Sequence, residues 1–139
     1  MSEKLTVSAT LDSLKTITEF VVNLAKSANL DKKKLYKLRL AIDELATNII
    51  SYAYTESNAT GEIILESKIS ESSMEFKIID HGVAFDPRTK LELEEETIDI
   101  PLEERQIGGL GIFLAFDGVD NFFYERQDDR NINTLTIYR

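Results

Sequence analysis

Apolar and polar positions change their period several times along the chain, and each change predicts an element. Leu5, Val7 and Ala9 alternate with Thr6, Ser8 and Thr10, the period of two that a half-buried strand shows. From Leu14 onward Leu14, Ile17, Val21, Leu24, Ala25 and Ala28 recur at helical spacing. This predicts a helix ending near Asn29, with Thr10 or Asp12 placed to cap its free amides. A second helix begins at Asp31 as N-cap, with Leu30 and Leu35 at the two positions of a hydrophobic staple. Its buried stripe reads Leu35, Leu38, Ile42, Leu45 and Ile49.

The turn-rich stretch from Ser57 to Gly61 precedes two strands, about Glu62 to Ser70 and Ser73 to Asp80, joined at Glu71 and Ser72 as an antiparallel hairpin. Met74, Phe76 and Ile78 share one face, and the period of two carries Asp80 onto that same face. A carboxylate therefore stands where core would continue. Val83 to Ile107 holds no sustained period and is too long for a plain connection in a small domain, so it reads as a functional loop, a lid over about residues 84–107. Ile112 to Val119 reads as a short apolar helix. Asp120 to Gln127 and Ile132 to Tyr138 read as a closing hairpin turned by Asp128, Asp129, Arg130 and Asn131.

The length of 139 residues suits a single domain with its own core. No segment approaches the roughly 20 apolar residues that a bilayer crossing needs, and Met1-Ser2-Glu3-Lys4 lacks the regions of a signal peptide. The expected location is cytoplasmic, with no membrane partner. The absence of cysteine excludes thiol nucleophiles and thiolate zinc sites, and the single histidine removes most histidine-based metal and triad chemistry. A net charge of −9 disfavours nucleic acid, whose affinity comes from clustered Lys and Arg, and favours a basic protein partner. Seven of the acidic groups fall between Glu92 and Glu104, where a solvated loop is the simplest account.

Three short motifs carry candidate chemistry. Glu44 and Asn48, four apart, stack on one helical face beside the buried stripe. The amide oxygen of Asn48 together with phosphate oxygens suits magnesium, a hard cation, and Glu44 could orient or deprotonate an attacking hydroxyl. As a pair alone they are ordinary surface residues. Asp80, facing inward at a strand end, needs a hydrogen-bond donor; an adenine amino group would serve, and so would an Asx-type turn closing the strand. Gly108, Gly109 and Gly111 let backbone approach a ligand closely, and the helix after them offers unpaired amides to phosphate. No Lys-Ser or Lys-Thr follows, so this is not a Walker pattern, nor is it the dinucleotide fingerprint.

The order of these parts resembles the ATP-binding module shared by gyrase, chaperone, histidine-kinase and mismatch-repair ATPases, the GHKL superfamily. Within it the wording is similar to bacterial anti-sigma-factor serine/threonine kinases. Leu40 to Ile50 resembles their N box, Asp80 to Pro87 their first glycine box, and Gly108 to Leu114 their second. The resemblance implies a two-layer α/β sandwich of the Bergerat type, with helices on one face of a mixed, mostly antiparallel sheet. It implies Glu44 as catalytic base, Asn48 as the Mg2+ ligand, Asp80 with Gly82 as reader of the adenine of ATP, and Gly108, Gly109, Leu110 and Gly111 as phosphate cradle. Arg105 stands near a lid arginine of the family, and Thr134 near a threonine beside adenine. After Leu114 many relatives carry basic residues where this chain has Ala115 and Phe116.

The function so implied is that of an anti-sigma factor. It would phosphorylate a serine or threonine of a small antagonist protein and alternatively hold a sigma factor, as a homodimer. The rival is a nucleotide-dependent sequestering module without phosphotransfer.

Overall fold

A computed structural model describes residues 2–55, 59–89 and 117–139. Five strands form one sheet in the order β1-β2-β3-β5-β4: β1 is Ser2–Ser8, β2 Glu62–Ile69, β3 Ser73–Asp80, β4 Asn121–Gln127 and β5 Arg130–Tyr138. All four pairings are antiparallel, so the parallel component of the expected mixed sheet is not found among the described residues. Two helices, α1 (Leu14–Ser27) and α2 (Lys32–Asn48), cover one face. This is the expected two-layer sandwich.

The core follows the predicted periods. Ile17, Val21 and Ala25 of α1 and Leu38, Ile42 and Leu45 of α2 are buried against Ile63, Leu65, Met74, Phe76 and Ile78 of the sheet. Ala41 and Ala46 are buried too, and their small side chains let α2 lie close to its neighbours. Leu35 packs at the edge of this cluster and Leu30 is buried, as a staple requires.

The caps differ from expectation. The N-cap of α1 is Ser13, preceded by a 3-10 turn over Leu11–Ser13, and neither Thr10 nor Asp12 caps α1. The turn provides the reason: it spends the amide of Ser13 on the carbonyl of Thr10, 3.0 Å away. Asp31 does occupy the N-cap of α2, but its side chain makes no capping bond. The C-terminus of α1 is better fastened. Asn29 adopts φ 56°, the amide of Leu30 reaches the carbonyl of Ala25, and that of Asn29 reaches Lys26, both at 3.0 Å. These bonds make a Schellman motif.

Two further departures shape the site. After Asn48 the helix continues as a π-helical segment, Ile49–Tyr54, a widening often found at functional positions. The final hairpin turns through Asp128 and Asp129 alone, with Asp128 at φ 57°. Arg130 and Asn131, expected in the turn, belong to β5 instead.

Candidate functional site

Asp80 ends β3 with no exposed surface. Its position follows from strand parity: Met74, Phe76 and Ile78 point to the helices, and so must Asp80. Oδ1 accepts the amide of Gly82 at 2.9 Å and the side-chain amide of Asn131, its cross-strand partner, at 2.8 Å. Oδ2 is buried with no partner among the described residues. The Asx-type turn thus uses Oδ1 alone. Burial raises the Asp80 pKa, opposed by the hydrogen bonds from Asn131 and Gly82 and by the charges of Arg126 and His81.

The turn after Asp80 is held from several elements at once. The amide of His81 donates to the Tyr54 hydroxyl at 2.8 Å, and that hydroxyl donates to the carbonyl of Glu62 at 2.8 Å. The Gly82 carbonyl accepts from the Arg126 guanidinium at 2.9 Å. The amide of Val83 donates to the carbonyl of Ala53 at 3.0 Å, and the Val83 carbonyl accepts from Asn131 at 2.8 Å. A Cβ on Gly82 would lie 2.5 Å from the Ala53 carbonyl oxygen and 2.7 Å from its Cβ. Glycine is needed here for close approach, and the π-helical segment is what brings Ala53 and Tyr54 to this turn. His81 itself is exposed, and its imidazole makes no hydrogen bond among the described residues.

Asn131 was not anticipated as a site residue. It is 1% exposed and fully engaged: besides Asp80 and Val83 it accepts the amide of Phe85 at 3.2 Å and the hydroxyl of Tyr124 at 2.6 Å. Two residues on, Asn133 is buried with both amide atoms unpaired. Parity was the available signal, since Leu135 and Ile137 face the core and every second residue before them must do the same. The same rule moves Thr134 away. It pairs with Lys77 and Phe123, residues of the face opposite the helices, so the structure does not bring Thr134 to Asp80.

Glu44 and Asn48 lie on α2, half-buried at the core boundary as expected. The Asn48 side chain donates its Nδ2 to the carbonyl of Glu44 at 2.7 Å. Only the nitrogen can face a carbonyl oxygen, so Oδ1 is left as an acceptor with no partner among the described residues. The Glu44 carboxylate has no hydrogen bond or ion pair among the described residues, and burial, then the charge of Asp43, raises its pKa. Asp43 points elsewhere, accepting the Thr18 hydroxyl at 2.5 Å. No group of three His, Asp or Glu side chains able to hold a metal occurs among the described residues. A hard cation here would take the Asn48 oxygen and draw its remaining ligands from phosphate and water.

Phe85 stacks on Tyr52 with centroids 5.2 Å apart, and Asp86 starts a helical turn by accepting the amide of Arg88 at 3.0 Å. Burial alone would raise the Asp86 pKa, but the hydrogen bonds and charge of Arg88 outweigh it and hold it low. Arg105 and the cradle Gly108, Gly109, Leu110 and Gly111 lie outside the described residues. So do most of the proposed lid and residues 112–116 of the short helix, of which residues 117–118 are helical.

A buried carboxylate on a clamped turn and a helix that carries Glu-x-x-x-Asn thus belong to one α/β domain built on an antiparallel sheet. Residues 7–138 match the family model described as the histidine kinase-like ATPase domain, and the chain belongs to that family. It is 33% identical over 92 residues to the serine-protein kinase RsbW of Listeria innocua, covering 66% of this chain and 58% of that protein. It is 35% identical over 78 residues to RsbW of Bacillus thuringiensis, covering 55% and 48%. The matches thus span about half the length of these curated relatives. Among solved structures, the RsbU and RsbW domains of a Mycobacterium tuberculosis protein share the fold with TM-score 0.68 at 16% identity, over 100% of this chain and 33% of that one. SiaB in the SiaB-SiaC complex of Pseudomonas aeruginosa gives 0.57 at 13% identity, over 97% and 88%. No helix among the described residues is long and apolar enough to cross a membrane.

Proposed function

We propose that this chain is a cytoplasmic, ATP-dependent protein serine/threonine kinase and anti-sigma factor. It binds Mg-ATP, phosphorylates a small antagonist protein and alternatively holds a sigma factor, acting as a homodimer. The observation that carries the nucleotide reading is the unpaired Oδ2 of Asp80, buried at the end of a turn fixed from four sides. An acceptor so placed is costly unless a donor arrives, and the adenine amino group is one. Asn48 would hold Mg2+ through Oδ1, the ion neutralising charge on the phosphates. Glu44, with no partner of its own among the described residues, takes the proton from the attacking hydroxyl as its oxygen bonds the terminal phosphorus and the bridging bond to the β-phosphate breaks. The names of the relatives support the kinase class.

Charge supplies the switch. A phosphate on the antagonist adds about 1.5 to 2 negative charges and would be repelled from a chain of net charge −9, which frees the domain for the sigma factor. Calorimetry with ATP and Mg2+, followed by transfer of labelled phosphate to a protein captured from lysate, tests both steps. Tight ATP binding without transfer would favour the sequestering alternative, and absence of ATP binding would end the proposal.

A further inference from the structure

Resting on the reading of Asp80 as the base-reading group, we infer that Asn131 is the positioning residue that makes the pocket select adenine over guanine, by leaving Asp80 a single free oxygen. A carboxylate oxygen offers about two lone-pair sites. Both on Oδ1 are taken, one by the Gly82 amide and one by Asn131 Nδ2, at 2.9 and 2.8 Å. Oδ2 alone is open. Guanine presents two adjacent donors, its ring N–H and its 2-amino group, which match the two oxygens of a carboxylate side by side. Adenine presents one amino group on that edge, and a single oxygen satisfies it.

The lock does not turn. Asn131 Oδ1 receives the Phe85 amide and the Tyr124 hydroxyl, while the second Nδ2 hydrogen goes to the Val83 carbonyl. A flipped amide would set donors against donors and an acceptor against Asp80. The bidentate option is thereby withheld from guanine by a residue that itself makes no contact with the base.

Inosine triphosphate, which keeps the ring N–H of guanine and lacks the 2-amino group, isolates this effect. In calorimetric titrations with Mg2+ at neutral pH, the native chain should bind ATP best and bind GTP and ITP within about threefold of each other, since the second guanine donor finds no second open oxygen on Asp80. In Asn131→Ala the open lone pair on Oδ1 should let GTP exceed ITP by about tenfold, the scale of a gained charge-assisted hydrogen bond. Tyr124→Phe, which keeps both donors of Asn131, should lower the melting temperature and leave the GTP-to-ITP ratio unchanged. Equal losses for all three nucleotides in Asn131→Ala would make the residue merely structural and overturn the inference. If that variant does not fold, the native chain decides: GTP binding tenfold tighter than ITP overturns the inference while leaving the ATP reading intact. If no nucleotide binds at all, both readings fall.

Discussion

The two ends of the candidate site are built in opposite ways. At the Asp80 end, backbone groups of the turn are tied down by Tyr54, Ala53, Arg126 and Asn131, and two of the four bonding directions around the carboxylate by Gly82 and Asn131, before any ligand arrives. On α2, Glu44 has no partner among the described residues, and Asn48 is tied only through its nitrogen, back to its own helix. Under the proposed function, the difference separates selection from chemistry. Reading a base requires a fixed acceptor, because specificity comes from leaving a wrong donor unsatisfied. Transfer requires groups whose free electron pairs are still available, and a carboxylate raised in pKa by burial is more willing to take a proton.

That contrast predicts that the α2 end governs rate and the Asp80 end governs affinity. Glu44→Ala should give the largest effect, slowing phosphate transfer by about 10² to 10⁴, with ATP affinity held within about threefold because the carboxylate makes no ground-state bond that ATP would replace. Single-turnover transfer beside calorimetry checks it, and an affinity loss equal to the rate loss would erase the distinction between the two ends.

Asp80→Asn should reverse the signature. ATP affinity should fall by about tenfold or more, the value of a hydrogen bond to a charged acceptor. Stability should move the other way. Burial raises the Asp80 pKa despite Asn131, Gly82, Arg126 and His81. A carboxyl with a raised folded pKa favours the native state fully below its unfolded value, and that contribution is lost as pH climbs through the folded value. The ionised group therefore burdens the free protein at neutrality. The ligand-free variant should match or lag the native chain at acid pH and gain on it from the ordinary aspartate range upward. Urea titrations at both ends of that range would expose the opposite trend if the carboxylate were stabilising.

Gly82→Ala probes the clamp between the ends. An added methyl meets Ala53 backbone at 2.5 Å, and overpacking of that kind costs about 1–3 kcal/mol. Thermal denaturation should show the loss with ATP affinity falling alongside. A variant as stable as the native chain would mean that the π-helical segment yields easily.

How far the sequence reached follows the same division. Helix periods, the hairpin at Glu71 and Ser72 and the inward parity of Asp80 were legible because each is set by local side-chain alternation or turn chemistry. The π-helical segment over Ile49–Tyr54 was not: Ile49, Ile50, Ala53 and Tyr54 are apolar at a spacing that an ordinary helix also tolerates, and the widening shows itself only in where Ala53 and Tyr54 must reach. Asn131 was read as a turn residue by type, Asn being frequent in turns, although its distance from Leu135 and Ile137 fixes it on the core face. Resemblance pointed to Asp80-His81-Gly82, where the local turn is tightly held, and to Thr134, which the strand parity of this chain places on the face away from Asp80.

Thr134→Val is the sharpest small test of that last point. Thr134 sits between Lys77 and Phe123 on the sheet face away from the helices, and valine preserves its β-branched shape. Stability should change by no more than about 0.5 kcal/mol, as for surface positions without a special partner. ATP affinity should stay within error of the native value. A clear affinity loss would require that the last strand present Thr134 to the nucleotide, and therefore that β5 slip by one residue against β3. Such a slip would turn Asn131 and Asn133 outward as well, so one measured ratio tests the register on which the whole Asp80 end depends.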